Sequence, residues 1–158
     1  HVMLRERGVT TAAALPISAG LLGDLDAYFG ALDAYRNGDA EPIVDLFAKA
    51  ALDSVARGQR LAAELDSVRA EWDQMISARS DALAWQVLPL LVQRPVLTTS
   101  MVSSEFDVSA ETARNALERL ETDGIVVSAQ LDKRQRAWRS LEVLDLLDGF
   151  SALGGRRG

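Results

Sequence analysis

The sequence of 158 residues contains no cysteine, and its one histidine is the first residue, His1. The missing thiols exclude a disulfide framework, a thiolate metal site and a cysteine nucleophile. A single histidine at a terminus cannot build a histidine metal site or a Ser-His-Asp triad. No apolar run approaches the roughly 18 residues that mark a membrane-spanning helix. The longest, such as "AWQVLPLLV", have the length of core helices. No basic-then-apolar leader with a small-residue cleavage site opens the chain. The expectation is a cytoplasmic protein without a membrane partner. Positive charge is also in short supply, with 17 Lys and Arg against 23 Asp and Glu, a net charge of −6. Both halves share the deficit: residues 1–80 hold 8 basic against 12 acidic side chains, and residues 81–158 hold 9 against 11. Such a chain binds polyanions poorly as a whole, so any nucleic-acid contact must come from a local patch.

Helix breakers are sparse where the longest pattern lies. From Ile43 to Ala78 there is no proline and one glycine, Gly58. Val44, Phe47, Ala51, Val55, Gly58, Leu61 or Ala62, Leu65, Val68, Trp72 and Met75 recur at steps of three and four. They predict one long helix with a single packed seam. At 1.5 Å per residue it would span roughly 50 Å, more than a small core needs. It therefore bridges two domains, packs against a second copy, or breaks near Gly58. Before it, Ser18 is a candidate cap for a helix whose apolar face holds Leu22, Leu25, Phe29, Leu32 and Tyr35. Asn37-Gly38-Asp39 ends that helix, and Pro42 sits in the first turn of the next. The opening "HVMLRERG" reads as the tail of a helix, which implies a segment upstream of His1. Residues 77–81, "SARSD", are the expected domain boundary, dividing 1–80 from 81–158.

The second half has a different rhythm. Asp81 is a candidate cap for a helix holding Leu83, Trp85, Val87, Leu88, Leu91 and Val92, with Pro89 bending it or restarting it. "RPVLT" is extended, and Thr98 or Thr99 caps "SMVSSEF". "DVS" turns the chain, and Ser109 caps a helix that buries Ala113, Ala116, Leu117 and Leu120. Gly124 closes that helix from the left-handed region. "IVVSAQ" and "RAWRS" make a hairpin around "LDKRQ", with Trp138 facing inward. "LEVLDLLDGF" closes the chain as a helix with Leu141, Leu144, Leu147 and Phe150 on one face. The fold class expected is mainly α: a helical segment with one long helix, then a winged helix-turn-helix domain with a small β-hairpin wing.

That arrangement nominates a surface for double-stranded DNA. Thr112 could hold a phosphate, Arg114 a guanine and Asn115 an adenine. Lys133, Arg134, Arg136 and Arg139 form the strongest positive patch and fall at the wing. Glu111 and Glu118 bracket the same helix face with negative charge, and the arginines have Asp132 and nearby glutamates as local partners. A free-standing dimeric regulator and a protein-docking module therefore stand beside DNA binding as readings. No other chemistry is legible. Asp24, Asp26 and Asp33 read as a solvated helix face, and the tryptophans lie on apolar seams.

Two stretches resemble one family. "LPISAGLLGDLDAYFGALDAYRNGDAEPIVDLFAKAALDSV" resembles the segment after the catalytic helix of bacterial Fic (filamentation induced by cyclic AMP) proteins. "DALAWQVLPLLVQRPVLTT" followed by "FDVSAETARNALERLETDGIV" resembles the C-terminal winged helix that some members carry. Together they cover almost the whole chain. The resemblance implies a longer protein that moves AMP from ATP, with a divalent metal, onto a hydroxyl of a target protein. The family's signature, HPFxxGNGRxxR, supplies a histidine base and a phosphate-binding loop. It is absent here, and no "PFxxGNGR" follows His1. The inhibitory pattern of Ser or Thr, three residues, Glu, then Gly or Asn, is also absent: Ser67 and Glu71 are spaced for it, but Trp72 follows. No catalytic residue and no cofactor site is therefore expected in this chain. The resemblance implies a regulatory C-terminal part, with residues 8–78 packed on the upstream catalytic core or forming a homodimer.

Overall fold

The computed structural model describes residues 21, 24–77, 79, 82–130 and 136–152. These form six helices and three strands: α1 Leu25–Arg36, α2 Glu41–Met75, α3 Leu83–Gln93, β1 Val96–Thr98, α4 Thr99–Phe106, α5 Ala110–Thr122, β2 Val127–Gln130, β3 Arg136–Arg139 and α6 Leu141–Ala152. The protein is mainly α, with one small antiparallel sheet in the order β1-β3-β2. Among the described residues no helix is long and apolar enough to cross a membrane.

The chain separates into two compact units. One takes the described residues up to Ala62 together with those from Asp148 onward; the other is Ala63–Leu147. Both divisions fall inside helices, α2 and α6, whereas the sequence pattern places a boundary at residues 77–81. The reason is packing: Trp72 of α2 and Ile76 just after it belong to the core of the second unit, and Leu65 and Val68 of α2 pack against that core.

In the first unit, α1 is capped by Asp24, whose carboxylate accepts from the Ala27 amide at 2.9 Å. An aspartate set down as surface charge is thus the helix start; Ser18 and Leu22 lie outside the described residues. The end is as expected: Gly38 takes a φ of +93°, and the Gly38 and Asp39 amides bond back to Tyr35 and Ala34. Only a residue without a Cβ takes this position at little cost. The predicted apolar face is not the covered one. Leu25, Phe29 and Tyr35 are about half exposed, while Ala31 is buried. The same correction applies to the first half of α2. The helix runs through Gly58 without a break, yet Val44, Phe47 and Val55 are exposed, and Ala50 and Ser54 are buried. Ile43, Leu46, Ala50 and Ser54 form a second stripe at the same three-and-four spacing, so periodicity alone does not select between the two.

The second unit has a continuous core of Trp72, Val87, Leu88, Leu91, Leu97, Val102, Leu117, Leu120, Trp138 and Val143, among others. Met75, assigned to the seam, is instead 43% exposed. α3 begins after Ala82, which makes no side-chain cap bond, and continues through Pro89; Asp81, the expected cap, lies outside the described residues. Thr98 caps α4, accepting from the Met101 amide. On α6 the buried residue is Val143, whereas Leu141, expected on the covered face, is 45% exposed. Ser140 sets that phase. It is fully buried, and its hydroxyl accepts from the Val143 amide at 3.3 Å, fixing which side of the first turn faces inward.

Candidate nucleic-acid interface

The candidate residues centre on α5. After α4, Asp107 takes φ 50° and ψ 49°, and the Ser103 hydroxyl donates to the Val108 carbonyl at 2.6 Å. These contacts hold the turn. The Ser109 hydroxyl then accepts from the Thr112 amide at 3.1 Å, satisfying one free N–H of the first helical turn. Ala113, Ala116, Leu117 and Leu120 are buried, which fixes the opposite face as the exposed one. Gly124, at φ +80°, ends the helix as Gly38 ends α1. The Gly124 and Ile125 amides bond to Glu121 and Leu120, and a Cβ on Gly124 would stand 3.6 Å from Met75 Cε. Changing Ser109→Ala should cost about 1 kcal/mol of stability, the usual value of such a cap. Urea unfolding is the check; an unchanged midpoint would mean that the cap bond contributes nothing.

The candidate residues fall on two flanks of α5. Thr112 and Asn115 line one shallow groove of about 240 Å³ together with Leu83 and Arg119. The Thr112 hydroxyl also shares a 2.9 Å hydrogen bond with that of Ser109. Arg114 lies on the adjoining flank, where its Nε is 3.6 Å from Glu118 Oε1; both side chains are roughly half exposed.

The basic patch is not one surface. Lys133 and Arg134 lie outside the described residues. Arg136 and Arg139 are three apart on β3, and alternate strand residues face opposite sides of a sheet. Arg136 stands over the Trp138 ring, 5.3 Å from its centroid. It donates to the Ser128 hydroxyl at 2.6 Å and pairs with Glu121 at 3.7 Å. Arg139 faces the other way, level with Val96 of β1 and Val127 of β2, and both valines are about 40% exposed. Arg136 also borders a hydroxyl-lined groove of about 380 Å³ with Thr99, Ser100, Ser104 and Ala110.

Two carboxylates absent from the sequence-based candidates organise this region. Glu121 Oε1 accepts from the Ser128 hydroxyl at 2.5 Å and its amide at 3.3 Å. Its Oε2 accepts from Trp138 Nε1 at 3.1 Å. The Ser128 hydroxyl, against the opposing effect of burial and aided by Trp138 and Arg136, holds Glu121 below the ordinary carboxylate range. At the next turn, Asp123 accepts from the Ser77 hydroxyl at 2.5 Å, from the Ser77 amide at 3.2 Å and from Arg119 Nε at 3.3 Å. Burial alone would raise the Asp123 pKa, but these donors outweigh it and the net shift is downward. The one signal for Glu121 in the sequence was Trp138 itself, since a buried indole N–H needs an acceptor.

No group of side chains that could hold a metal ion occurs among the described residues. No protein-family model and no curated protein matches the chain.

Proposed function

We propose that the region from α3 to β3 is a winged helix-turn-helix that binds double-stranded DNA through α5. In this reading it forms the C-terminal regulatory part of a Fic-like protein adenylyltransferase. One observation carries the DNA reading. In the order α3-β1-α4-α5-β2-β3, with the sheet ordered β1-β3-β2, the outer face of the first two turns of α5 is exposed and carries Thr112, Arg114 and Asn115. A helix so presented enters a major groove with its N-terminal residues against base edges. Asn115 then matches adenine and Arg114 guanine, while the Thr112 hydroxyl serves a phosphate; Arg139, on the sheet face away from Glu121 and α5, has no place in this contact. Arg114 leaves Glu118 at small cost, because exposed ion pairs contribute about 1 kcal/mol or less. Lys133 and Arg134, outside the described residues, add phosphate contacts in this reading. Arg136, spent on Glu121 and Ser128, serves chiefly to hold the hairpin to α5.

The adenylyltransferase reading rests on the sequence resemblance, and the AMP-transfer chemistry, with its ATP and divalent metal, then belongs to the longer protein. The pairing of Arg114 and Arg136 with glutamates favours a second reading, protein docking, because it leaves little unpaired positive charge on the described surface.

Fluorescence anisotropy of a labelled mixed-sequence duplex separates the two. Affinity should fall steeply between about 50 and 200 mM salt. Arg114→Ala should weaken binding to a selected site by about tenfold. Changing Lys133 and Arg134 together to Ala should reduce the salt slope by about two. A folded wild-type chain that ignores duplex DNA at low salt would leave docking as the function.

A further inference from the structure

The first half of α2 presents an uncharged stripe to solvent. Val44, Phe47, Ala51, Val55 and Gly58 lie within about 40° of one line at about 100° per residue. Val44 is 62% exposed, Phe47 45% and Val55 39%. The charged residues of this stretch, Asp45, Lys49, Asp53, Arg57 and Arg60, all project more than about 100° from that line. In a chain that is 25% charged, a stripe of four turns with no charge is a surface that avoids repelling its partner.

We propose that this stripe is the seam of an antiparallel homodimer with its two-fold axis at Ala51. The steps along it are three, four, four and three, so it reads the same in both directions. About Ala51 the side chains complement one another by size. Phe47 of one copy meets Val55 of the other, Val44 meets Gly58, and Ala51 meets itself. The gap is present for Val44 to fill, since a Cβ added at Gly58 would meet nothing within 4 Å. An isologous contact of this kind closes after two copies, and small residues at its centre and ends let two helix backbones approach closely. A second copy is also the partner that needs no charge to match, because it brings the same uncharged stripe. The inference stands on α2 and is independent of DNA binding.

The 158-residue chain of 17.1 kDa tests it by sedimentation equilibrium. The wild type should sediment as a dimer at micromolar concentration. Phe47→Glu and Val55→Glu should each return it to a monomer with unchanged helical circular dichroism, as both side chains are exposed. Because the protein has no cysteine, single cysteines report the register. Ala51→Cys should cross-link to itself on mild oxidation. Val44→Cys should not, because in an antiparallel pair two copies of residue 44 stand about 21 Å apart along the axis. A wild-type monomer at 100-fold higher concentration overturns the proposal. So does a dimer that survives both glutamate variants, or efficient cross-linking at residue 44, which indicates a parallel pair.

Discussion

Replacing Trp138 by alanine should lower the stability of the second unit by about 3–5 kcal/mol, the range for removing a large aromatic from a packed core. The side chain is 1% exposed and sits on β3, the central strand. It lies level with Leu97 on one side and Ser128 on the other. Its loss removes packing beneath the whole sheet and strips Glu121 of one donor. Trp138→Phe keeps most of the ring and loses the bond from Nε1, so it should cost about 1–2 kcal/mol. Urea unfolding followed by circular dichroism gives both values. Equal costs for the two variants would show that the indole bond, and not the ring volume, anchors the sheet. A cost below about 1 kcal/mol for alanine would show that the sheet is not anchored there.

The parts of this fold that were legible in the sequence are those determined by a few adjacent residues. Thr98 and Ser109 cap helices because a short hydroxyl side chain reaches an amide three residues on. Gly38 and Gly124 end helices because the left-handed region costs glycine least. Ala113, Ala116, Leu117 and Leu120 are the only apolar stripe on α5, so their burial followed. On α2 two stripes have the same spacing, and the choice between them depends on what surrounds the helix. The same holds for α6, where buried Ser140 places Val143 inward and leaves Leu141 outside. Glu121 and Asp123 do not stand out in the sequence because, apart from Arg119 four residues before Asp123, the donors described for them lie 7 to 46 residues away in the chain. The separation of Arg136 from Arg139 is a different case. An odd interval on a strand already places two side chains on opposite faces, so the spacing of Arg136 and Arg139 contains the reason for their separation.

Asp123→Ala should destabilise the second unit by about 2–3 kcal/mol. The Asp123 side chain is 6% exposed, whereas Arg119 is 45% exposed, so in the variant Arg119 keeps water and the Ser77 hydroxyl as partners while the Ser77 amide loses its acceptor. A hydrogen bond to a charged group contributes about 1.5–3 kcal/mol, and because Ser77 and Arg119 are exposed and can turn to water the total stays near the value of one such bond. The same side chain gives a pH signature. Its folded pKa is lowered, so the unfolded chain binds the proton more tightly. The contribution is complete above the ordinary carboxylate value of about 3.9 and is lost as pH falls through the depressed folded value. Glu121 shifts in the same direction. Wild-type stability should therefore fall between about pH 5 and pH 2 more steeply than that of Asp123→Ala, and the double variant with Glu121→Gln should be flatter still. Parallel pH profiles for the wild type and the single variant would mean that Asp123 titrates alike folded and unfolded, and that the Ser77 contact is not what ties the end of α2 to the end of α5.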